Sequence, residues 1–176
     1  EEGACSRAAK GRFCTAGVLG KESHPINCVR HKQAKAYCKW ADKRLPTGSE
    51  WERAATGDAG QRFVWGSSFP PQSGAANIAD ETAAVFHPEW NRPQGYVDGF
   101  AATAPVGSLD DRSPHGMLDA AGNVAEWVSD KPRVRGASFG HGRIDDLEAQ
   151  RELTYRGEHQ SAHIGFRCAG DYKEKS

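Results

Sequence analysis

The chain contains 176 residues with 23 basic and 23 acidic side chains, so its formal net charge is zero. A neutral chain without a basic stripe is a poor match for nucleic acid, and no apolar run approaches the length that spans a membrane. The length allows one domain with a sizeable core, and we treat residues 1–176 as a single domain. The 20 glycines and the single methionine favour a loop-rich fold with few long helices.

The cysteines point to disulfides, and there are five of them: Cys5, Cys14, Cys28, Cys38 and Cys168. No two form a Cys-x-x-Cys pair, which disfavours a structural zinc site or a thioredoxin-like motif. Disulfides persist in oxidising compartments, so we predict an extracellular or periplasmic protein. Because the number is odd, one thiol is free, pairs outside the chain or has lost its partner.

A first helix is predicted from residue 32, because Ala34, Tyr37, Cys38 and Ala41 fall at helical spacing. The simplest interpretation of Tyr37 and Trp40 is that they are core or groove-wall aromatics.

A second helix is predicted after Leu45-Pro46. Thr47 and Glu50 form a capping box, in which each side chain binds the other residue's backbone N–H. Trp51 then begins the buried face, and Gly57 ends the helix.

Residues 57–115 contain no convincing long helix. A coil of this length is uncommon in a compact domain unless it is functional or held in place. Asn77-Ile78 and Asp98-Gly99-Phe100 supply oxygen donors within it, so a bound cation is one way to hold it.

The stretch Gly116–Trp127 alternates small residues with the oxygen donors Asp119, Asn123 and Glu126. A hard cation such as calcium takes six to eight oxygens from side chains and peptide carbonyls, and a tight loop of this composition can supply several. The alternative is a Gly-Asn turn that leads into a buried strand, and composition alone favours this turn because three such side chains make a weak metal motif.

The remaining residues predict short strands. A strand–turn–strand unit runs through Val128 and residues 133–139, and a last apolar strand covers residues 164–169. His159 and His163 have a metal-binding spacing only if they lie on a helix, which the neighbouring glycines disfavour.

Several motifs stand in an order that resembles the formylglycine-generating enzyme, or sulfatase-modifying factor, family. The matching motifs are Ala36-Tyr37-Cys38-Lys39-Trp40, Lys43-Arg44-Leu45-Pro46-Thr47, Glu50-Trp51-Glu52, Gly122-Asn123-Val124, Glu126-Trp127, Arg135-Gly136-Ala137-Ser138 and Gly165-Phe166-Arg167-Cys168-Ala169. The resemblance runs from His24 to Ala169. It implies a loop-rich α+β fold related to C-type lectins, with two helices and short antiparallel strands, and without the family's N-terminal portion.

The resemblance also implies two calcium sites and a disulfide. The first set of ligands is Asn77, the Ile78 carbonyl, Asp98 and the Phe100 carbonyl; the second is Asp119, the Gly122 and Val124 carbonyls, and Glu126. Cys38 is expected to pair with Cys168. Which two of Cys5, Cys14 and Cys28 pair is left open, and we take Cys14 with Cys28 as a working choice.

The departures from the family concern its catalytic copper, which two cysteines hold after the Arg-Gly-Gly-Ser strand. This sequence has His141 and Asp146 at the matching positions, and no cysteine lies between Cys38 and Cys168. Copper(I) prefers thiolates, so no copper is expected. Ala125 also replaces a tryptophan that is usual in the groove floor.

Three functions remain open. The favoured one is a non-catalytic, calcium-stabilised module that binds a peptide, glycan or protein in a groove lined by Ser138, Phe139, His141, Arg143 and Asp146. The second is an oxidoreductase-like enzyme in which His141 and Asp146 ligate iron or transfer protons. The third is a structural module of a larger secreted assembly, with the groove filled by the chain's own loop.

Overall fold

The computed structural model describes residues 8–110 and 112–171, so Cys5 lies outside the described part of the chain. Three helices come first along the chain: α1 (His31–Trp40), α2 (Gly48–Thr56) and the short α3 (Glu81–Ala84). The strands follow: β1 (Ala125–Val128), β2 (Arg133–Arg135), β3 (Glu152–Thr154) and β4 (Ile164–Phe166), with a 3-10 helix (Ile144–Asp146) between β2 and β3. The loop-rich α+β class is confirmed, and α3 is an element that the sequence did not predict.

Helix α2 forms as the capping box predicted. The Thr47 hydroxyl accepts a hydrogen bond from the Glu50 N–H at 3.1 Å, and the Glu50 carboxylate accepts one from the Thr47 N–H at 2.8 Å. The helix ends at Gly57, whose φ of 69° is accessible to glycine at little cost. Trp51 is 1% exposed and anchors the helix in the core.

Helix α1 buries Ala34 and Cys38, which lie one turn apart. The prediction that Trp40 is a core or groove-wall residue is wrong, because its side chain is 72% exposed. Successive residues turn by about 100° around a helix, so Trp40 lies roughly 200° from Cys38, away from the buried face. Tyr37 is 44% exposed and packs edge-on against Phe166.

The four strands form one sheet in the order β3-β2-β1-β4. The β1–β2 and β2–β3 pairs are antiparallel, as expected, whereas β1 and β4 are parallel. A parallel pair needs a long connection, and here that connection contains β2, the 3-10 helix and β3. The last strand therefore returns beside the loop that precedes β1.

Two apolar clusters form the core. One packs α2 and the long coil around Trp51, Phe63 and Ile78, and the other packs α1 around Trp127 and Ile164. No helix of the described residues is long and apolar enough to cross a membrane.

Two disulfides close the structure. Cys38 pairs with Cys168, which ties α1 to the segment after β4, and Cys14 pairs with Cys28. Both expected pairings are confirmed. Every cysteine within the described residues is therefore in a disulfide.

Candidate functional site

The first set of predicted calcium ligands surrounds a buried amide. Asn77 is fully buried, and its Nδ2 donates to the Ala102 carbonyl at 2.9 Å. Its Oδ1 is buried without a hydrogen-bond partner in the described structure. An unsatisfied buried oxygen costs free energy, and amide oxygens are among the ligands that calcium takes. This orphan oxygen fits a cation site.

Asp98 lies beside the Asn77 segment. Its carboxylate accepts hydrogen bonds from the Ile78 N–H at 2.9 Å and the Phe100 N–H at 2.8 Å. Burial raises the pKa of Asp98 to about 7; these two hydrogen bonds oppose the shift, and the nearby Asp80 adds to it. A cation would compensate the buried charge. The structure thus brings both predicted side-chain ligands onto adjacent segments, to which the Ile78 and Phe100 carbonyls also belong.

The second predicted set lies on the loop before β1 and, with Glu126, on β1 itself, and this loop packs directly against the first set. The Asn77 carbonyl accepts a hydrogen bond from the Asn123 N–H at 2.8 Å. Gly122 has a φ of 96°, and a Cβ on it would lie 1.9 Å from the Asn77 carbonyl oxygen. Asp119 accepts a hydrogen bond from the Gly107 N–H at 2.7 Å. Only a glycine allows these two loops to approach so closely.

Glu126 on β1 sits in a network that the sequence analysis missed. Its Oε2 accepts hydrogen bonds from Trp51 Nε1 at 2.7 Å and from Arg167 Nε, and its Oε1 accepts one from Arg167 Nη2 at 2.6 Å. A carboxylate has about four lone-pair positions, so these donors leave one for a cation. Glu126 therefore has room for a single contact to calcium. The Gly-Phe-Arg-Cys motif was the available signal for Arg167.

Ser138 joins two histidines. Its hydroxyl lies 2.8 Å from His141 Nδ1 and 3.1 Å from His163 Nδ1. The Ser138 N–H also donates to His141 Nδ1, so that nitrogen acts as an acceptor. Burial lowers the pKa of His141, with Arg151 acting in the same direction and Asp146 opposing it.

His163 is the more perturbed of the two histidines. Burial, with smaller contributions from the neighbouring His141 and His87, lowers its pKa to about 4. Both imidazoles joined by Ser138 are therefore neutral near pH 7. His163 was considered only for a zinc site with His159, so its place beside Ser138 was missed.

The other predicted groove residues do not line an open groove beside His141. Asp146 pairs with Arg151 at 2.9 Å, and Arg143 is exposed. Ser138 and Phe139 are fully buried, so they form a floor rather than exposed walls. Within the described ranges, no group of three or more His, Cys, Asp or Glu side chains is arranged to hold a metal.

An aromatic layer packs around Phe139 and His163. His87 stacks on Trp90 with ring centroids 4.0 Å apart, and Trp90 contacts His163 edge-on at 5.8 Å. Phe13 adds a ring 5.6 Å from His87 and 6.0 Å from Phe139. These rings come from irregular loops with no periodic pattern, which is why the sequence analysis did not place them here. We call Phe13, His87, Trp90, Phe139 and His163 the aromatic layer.

The open concave surface lies elsewhere. A cavity of about 1100 Å³ is lined by apolar side chains from α1, β4 and the loop before β1, with Glu126 and Arg167 among its polar residues. Ile26 and Tyr37 line it and are 45% and 44% exposed. Its remaining apolar walls include Val29, Val106, Met117, Leu118, Val124 and Phe166.

These features define a class of protein, the loop-rich α+β domains with a short sheet. Two loops that carry oxygen donors pack together before this sheet, and a disulfide ties the segment after its last strand to the first helix. The sequence model of the sulfatase-modifying factor enzyme 1-like domain matches residues 1–172. The chain belongs to this family.

The relatives include proteins of both catalytic states. The chain is 32% identical to the inactive C-alpha-formylglycine-generating enzyme 2 of Bos taurus, over 87% of this chain and 52% of the relative. It is 34% identical to the formylglycine-generating enzyme of Streptomyces coelicolor, over 88% of this chain and 55% of that enzyme. The chain thus spans about half the length of these relatives, and identity alone does not separate the active from the inactive state.

Solved structures support the same fold. PvdO from Pseudomonas aeruginosa superposes with a TM-score of 0.62 at 22% identity, covering 82% of this chain and 60% of that one. Treponema denticola variable protein 1 superposes with a TM-score of 0.65 at 18% identity, covering 89% and 75%. At such identities the likeness concerns the fold alone.

Proposed function

We propose that this chain is a non-catalytic, calcium-stabilised binding domain that works in an extracellular or periplasmic compartment. The observation that carries the proposal is the absence of thiols where the family's copper ligands stand. His141 and Asp146 occupy those positions, and every cysteine within residues 8–110 and 112–171 is in a disulfide. Copper(I) is a soft ion that is held by thiolates, so this site offers it no suitable ligands. The disulfides also support the oxidising compartment.

The catalytic test uses the reaction of the family. A peptide with the sulfatase-type Cys-x-Pro-x-Arg motif is incubated with the copper-loaded protein, and formation of formylglycine is followed by mass spectrometry. We expect no conversion, and an active formylglycine-generating enzyme serves as the positive control. Turnover above the copper-only blank would overturn the non-catalytic assignment.

Calcium is proposed for the two packed loops, with the Asn77 and Asp98 side chains as the first set of ligands and Asp119 and Glu126 in the second. The orphan Asn77 oxygen and the buried Asp98 carboxylate support the first site most directly. Calcium bound there would compensate the buried oxygens and hold the long coil against the loop before β1. A cation that binds only the folded state stabilises it by mass action.

Thermal melts with calcium and with EDTA test this proposal. Chelation should lower the melting temperature of the wild type, and Asn77→Ala should lose most of this calcium dependence. Asn91→Ala is the matched control, because Asn91 is exposed in the same coil and should keep the wild-type response. A wild-type melt that EDTA leaves unchanged would rule calcium out.

The binding surface is proposed to be the open cavity beside α1 and β4, because Ser138 and Phe139 of the groove first predicted around His141 are buried. Its apolar walls and half-exposed rim are suited to peptide or protein side chains. A display library of random short peptides is the probe. Enriched peptides should lose binding to Ile26→Arg and keep it with Val85→Arg, a matched change at an exposed residue outside the cavity.

The burial of Ser138 and Phe139 favours one competing function, a structural module. In that case no peptide would be enriched over a blank surface, or the enriched peptides would bind Ile26→Arg as well as they bind the wild type. Either result would overturn the cavity as a binding site while leaving the calcium and catalytic tests unaffected.

A further inference from the structure

Helix α1 and its flanks concentrate positive charge on a chain that is neutral overall. Residues 30–44 contain six of the 23 basic residues and one of the 23 acidic residues. This segment therefore carries five net positive charges, and the rest of the chain carries five net negative ones. Such an uneven distribution attracts an acidic partner to one side of the molecule, although the whole chain has no net charge.

The three lysines of α1 lie on one exposed face. Successive residues turn by about 100°, which places Lys32, Lys35 and Lys39 within an arc of roughly 60°. All three are exposed. None of them forms an ion pair with a residue that the structure describes, whereas the arginines at the two ends of the segment pair with glutamates. We call Lys32, Lys35 and Lys39 the lysine face.

An aromatic path connects the lysine face with the open cavity. Trp40 lies about 80° round the helix from Lys32. Its ring packs against Tyr37, with centroids 5.6 Å apart, and Tyr37 packs on Phe166 at 5.4 Å. Tyr37 and Phe166 line the cavity, whereas Trp40 is 72% exposed. The ring of Trp40 is therefore an uncovered apolar surface between the cavity and the lysines.

The acidic side chains of the cavity lining already have partners. Glu126 accepts a hydrogen bond from Arg167 at 2.6 Å. Asp119 is 8% exposed, and its carboxylate accepts one from the Gly107 N–H. Lys10, by contrast, lines the cavity and is exposed. The charge that the cavity and its surroundings offer to a ligand is therefore positive.

We propose that the ligand of the open cavity is an acidic peptide segment, which places an apolar side chain in the cavity and Asp or Glu residues over the lysine face. This inference rests on the binding function proposed above and names the chemistry of its ligand.

The geometry of α1 sets the spacing of such a peptide. An extended chain that leaves the cavity beside Tyr37 passes over Trp40 before it reaches the lysines. The arc from Tyr37 to Lys32 is roughly 140°, or about 13 Å at the outer radius of a helix. The acidic residues should therefore stand about three to five residues from the apolar anchor, because an extended chain rises by about 3.3 Å per residue.

A display library of random peptides tests the composition of the ligand. Peptides of about twelve residues are long enough to span the path. Those enriched on the wild type should contain more Asp and Glu than the starting library, at the spacing given above. No enrichment at all would overturn the proposed binding function together with this inference, whereas enrichment without an acidic excess would overturn the inference alone.

Matched peptides measure the contribution of charge. An enriched peptide and its counterpart with Asn and Gln in place of Asp and Glu are compared by fluorescence anisotropy. The acidic peptide should bind the wild type about tenfold more tightly at low salt, as expected for two or three surface ion pairs. Added salt should reduce this preference because it screens the charges. Equal affinities at low salt would overturn the inference.

Charge reversals locate the contacts. Lys32→Glu and Lys39→Glu should each weaken the acidic peptide by about fivefold. The neutral counterpart should bind them as it binds the wild type, which also shows that the fold is kept. Lys131→Glu is the matched control, because Lys131 is exposed and does not line the cavity. An equal loss in Lys131→Glu would reveal only an effect of net charge and would overturn the lysine face.

The link to the cavity has its own test. Ile26→Arg should remove binding of both peptides, because Ile26 lines the cavity that holds the anchor. An acidic peptide that keeps its affinity for Ile26→Arg would bind the lysines alone and would overturn the two-part ligand.

An anionic membrane is the competing occupant of the lysine face, because tryptophan and lysine side chains also favour lipid interfaces. Sedimentation with phosphatidylglycerol vesicles tests it, with phosphatidylcholine vesicles as the uncharged reference. We expect no sedimentation that depends on Lys39. Binding to the anionic vesicles that Lys39→Glu removes, together with a peptide pool that has no acidic excess, would assign the face to lipid and overturn the inference.

Discussion

The pair formed by Glu126 and Arg167 gives the sharpest quantitative prediction. Glu126 lies on β1 with a side chain that is only 6% exposed, and Arg167 follows β4 with a side chain that is 28% exposed. The pair also meets Trp51 from α2, and Arg167 donates to the Leu118 carbonyl at 2.9 Å. One bidentate contact therefore joins the sheet, α2 and the loop that carries the second predicted calcium set.

The two partners should respond differently because their burial differs. Arg167→Met leaves the Glu126 charge buried with only the Trp51 N–H as a donor, and an unpaired buried charge costs about 3–5 kcal/mol. Glu126→Gln keeps an acceptor for Trp51 and leaves a partly solvated guanidinium, so we expect about 1–3 kcal/mol. In the double variant neither charge is left without its partner. Its loss of unfolding free energy should therefore be smaller than the sum of the two single losses by about 1–3 kcal/mol.

Urea unfolding with linear extrapolation measures these free energies, with calcium and with EDTA because Glu126 is also a predicted calcium ligand. The control cycle uses Arg53→Met and Asp58→Asn, an exposed ion pair of the same type with an N–O distance of 2.9 Å. Each control change should cost less than about 1 kcal/mol. Additive losses at Glu126 and Arg167, or an Arg167→Met cost no larger than the control, would refute the assignment of this pair as a structural hub.

Three further predictions test other parts of the molecule. Replacing both cysteines of a disulfide by alanine should lower the free energy of unfolding by about 5 kcal/mol for Cys38–Cys168 and by about 3 kcal/mol for Cys14–Cys28. The two cysteines are 130 residues apart in the first pair and 14 in the second, and the cross-link of the longer loop removes more entropy from the unfolded chain. Urea unfolding that gives the reverse order would contradict this. Because the pKa of His163 is lowered from 6.5 to about 4, its contribution to the free energy of unfolding should be complete above pH 6.5. This contribution should fall by up to about 3 kcal/mol as the pH drops toward 4. In melts over this pH range, His163→Gln should remove the corresponding loss of stability, and an unchanged pH dependence would refute the prediction. Gly122→Ala should lower the free energy of unfolding by more than about 2 kcal/mol, because the new Cβ would clash with the Asn77 carbonyl. Gly60→Ala should cost about 1 kcal/mol, because its Cβ would point into open space and only its positive φ is unfavourable. Equal losses of stability in thermal melts would be inconsistent with the close approach of the two loops.

Local signals in the sequence predicted the elements that local chemistry determines. The capping box of Thr47 and Glu50 set the start of α2, and Gly57 set its end, because these contacts lie within one turn of chain. The pairing of Cys38 with Cys168 came from the resemblance to the family, because no spacing rule connects two positions so far apart. The parallel pairing of β1 with β4 was not predicted either, since strands of three or four residues carry too short a pattern to reveal their neighbours.

The candidate site was predicted only where its residues are close in sequence. Ser138 and His141 lie three positions apart and do contact each other. His163, Trp90 and Phe13 complete the cluster from three distant loops, and their placement depends on how the whole coil packs. Trp40 shows the opposite error: the sequence analysis takes it as a core or groove-wall aromatic, although its angular position on α1 turns it to solvent.

The structure separates the residues that hold the fold from those that stand at the family's catalytic positions. Glu126, Arg167 and Trp51 join the sheet to α2, and Asn77 and Gly122 join the two loops, none of them through a contact with His141. Substitutions at His141 or Asp146 would therefore leave these fold-determining contacts in place. That separation gives a physical reason why proteins named as enzymes and proteins named as inactive match this chain at similar identity. Function must therefore be argued from the sites and surfaces of this chain itself, because a shared fold does not by itself imply a shared function.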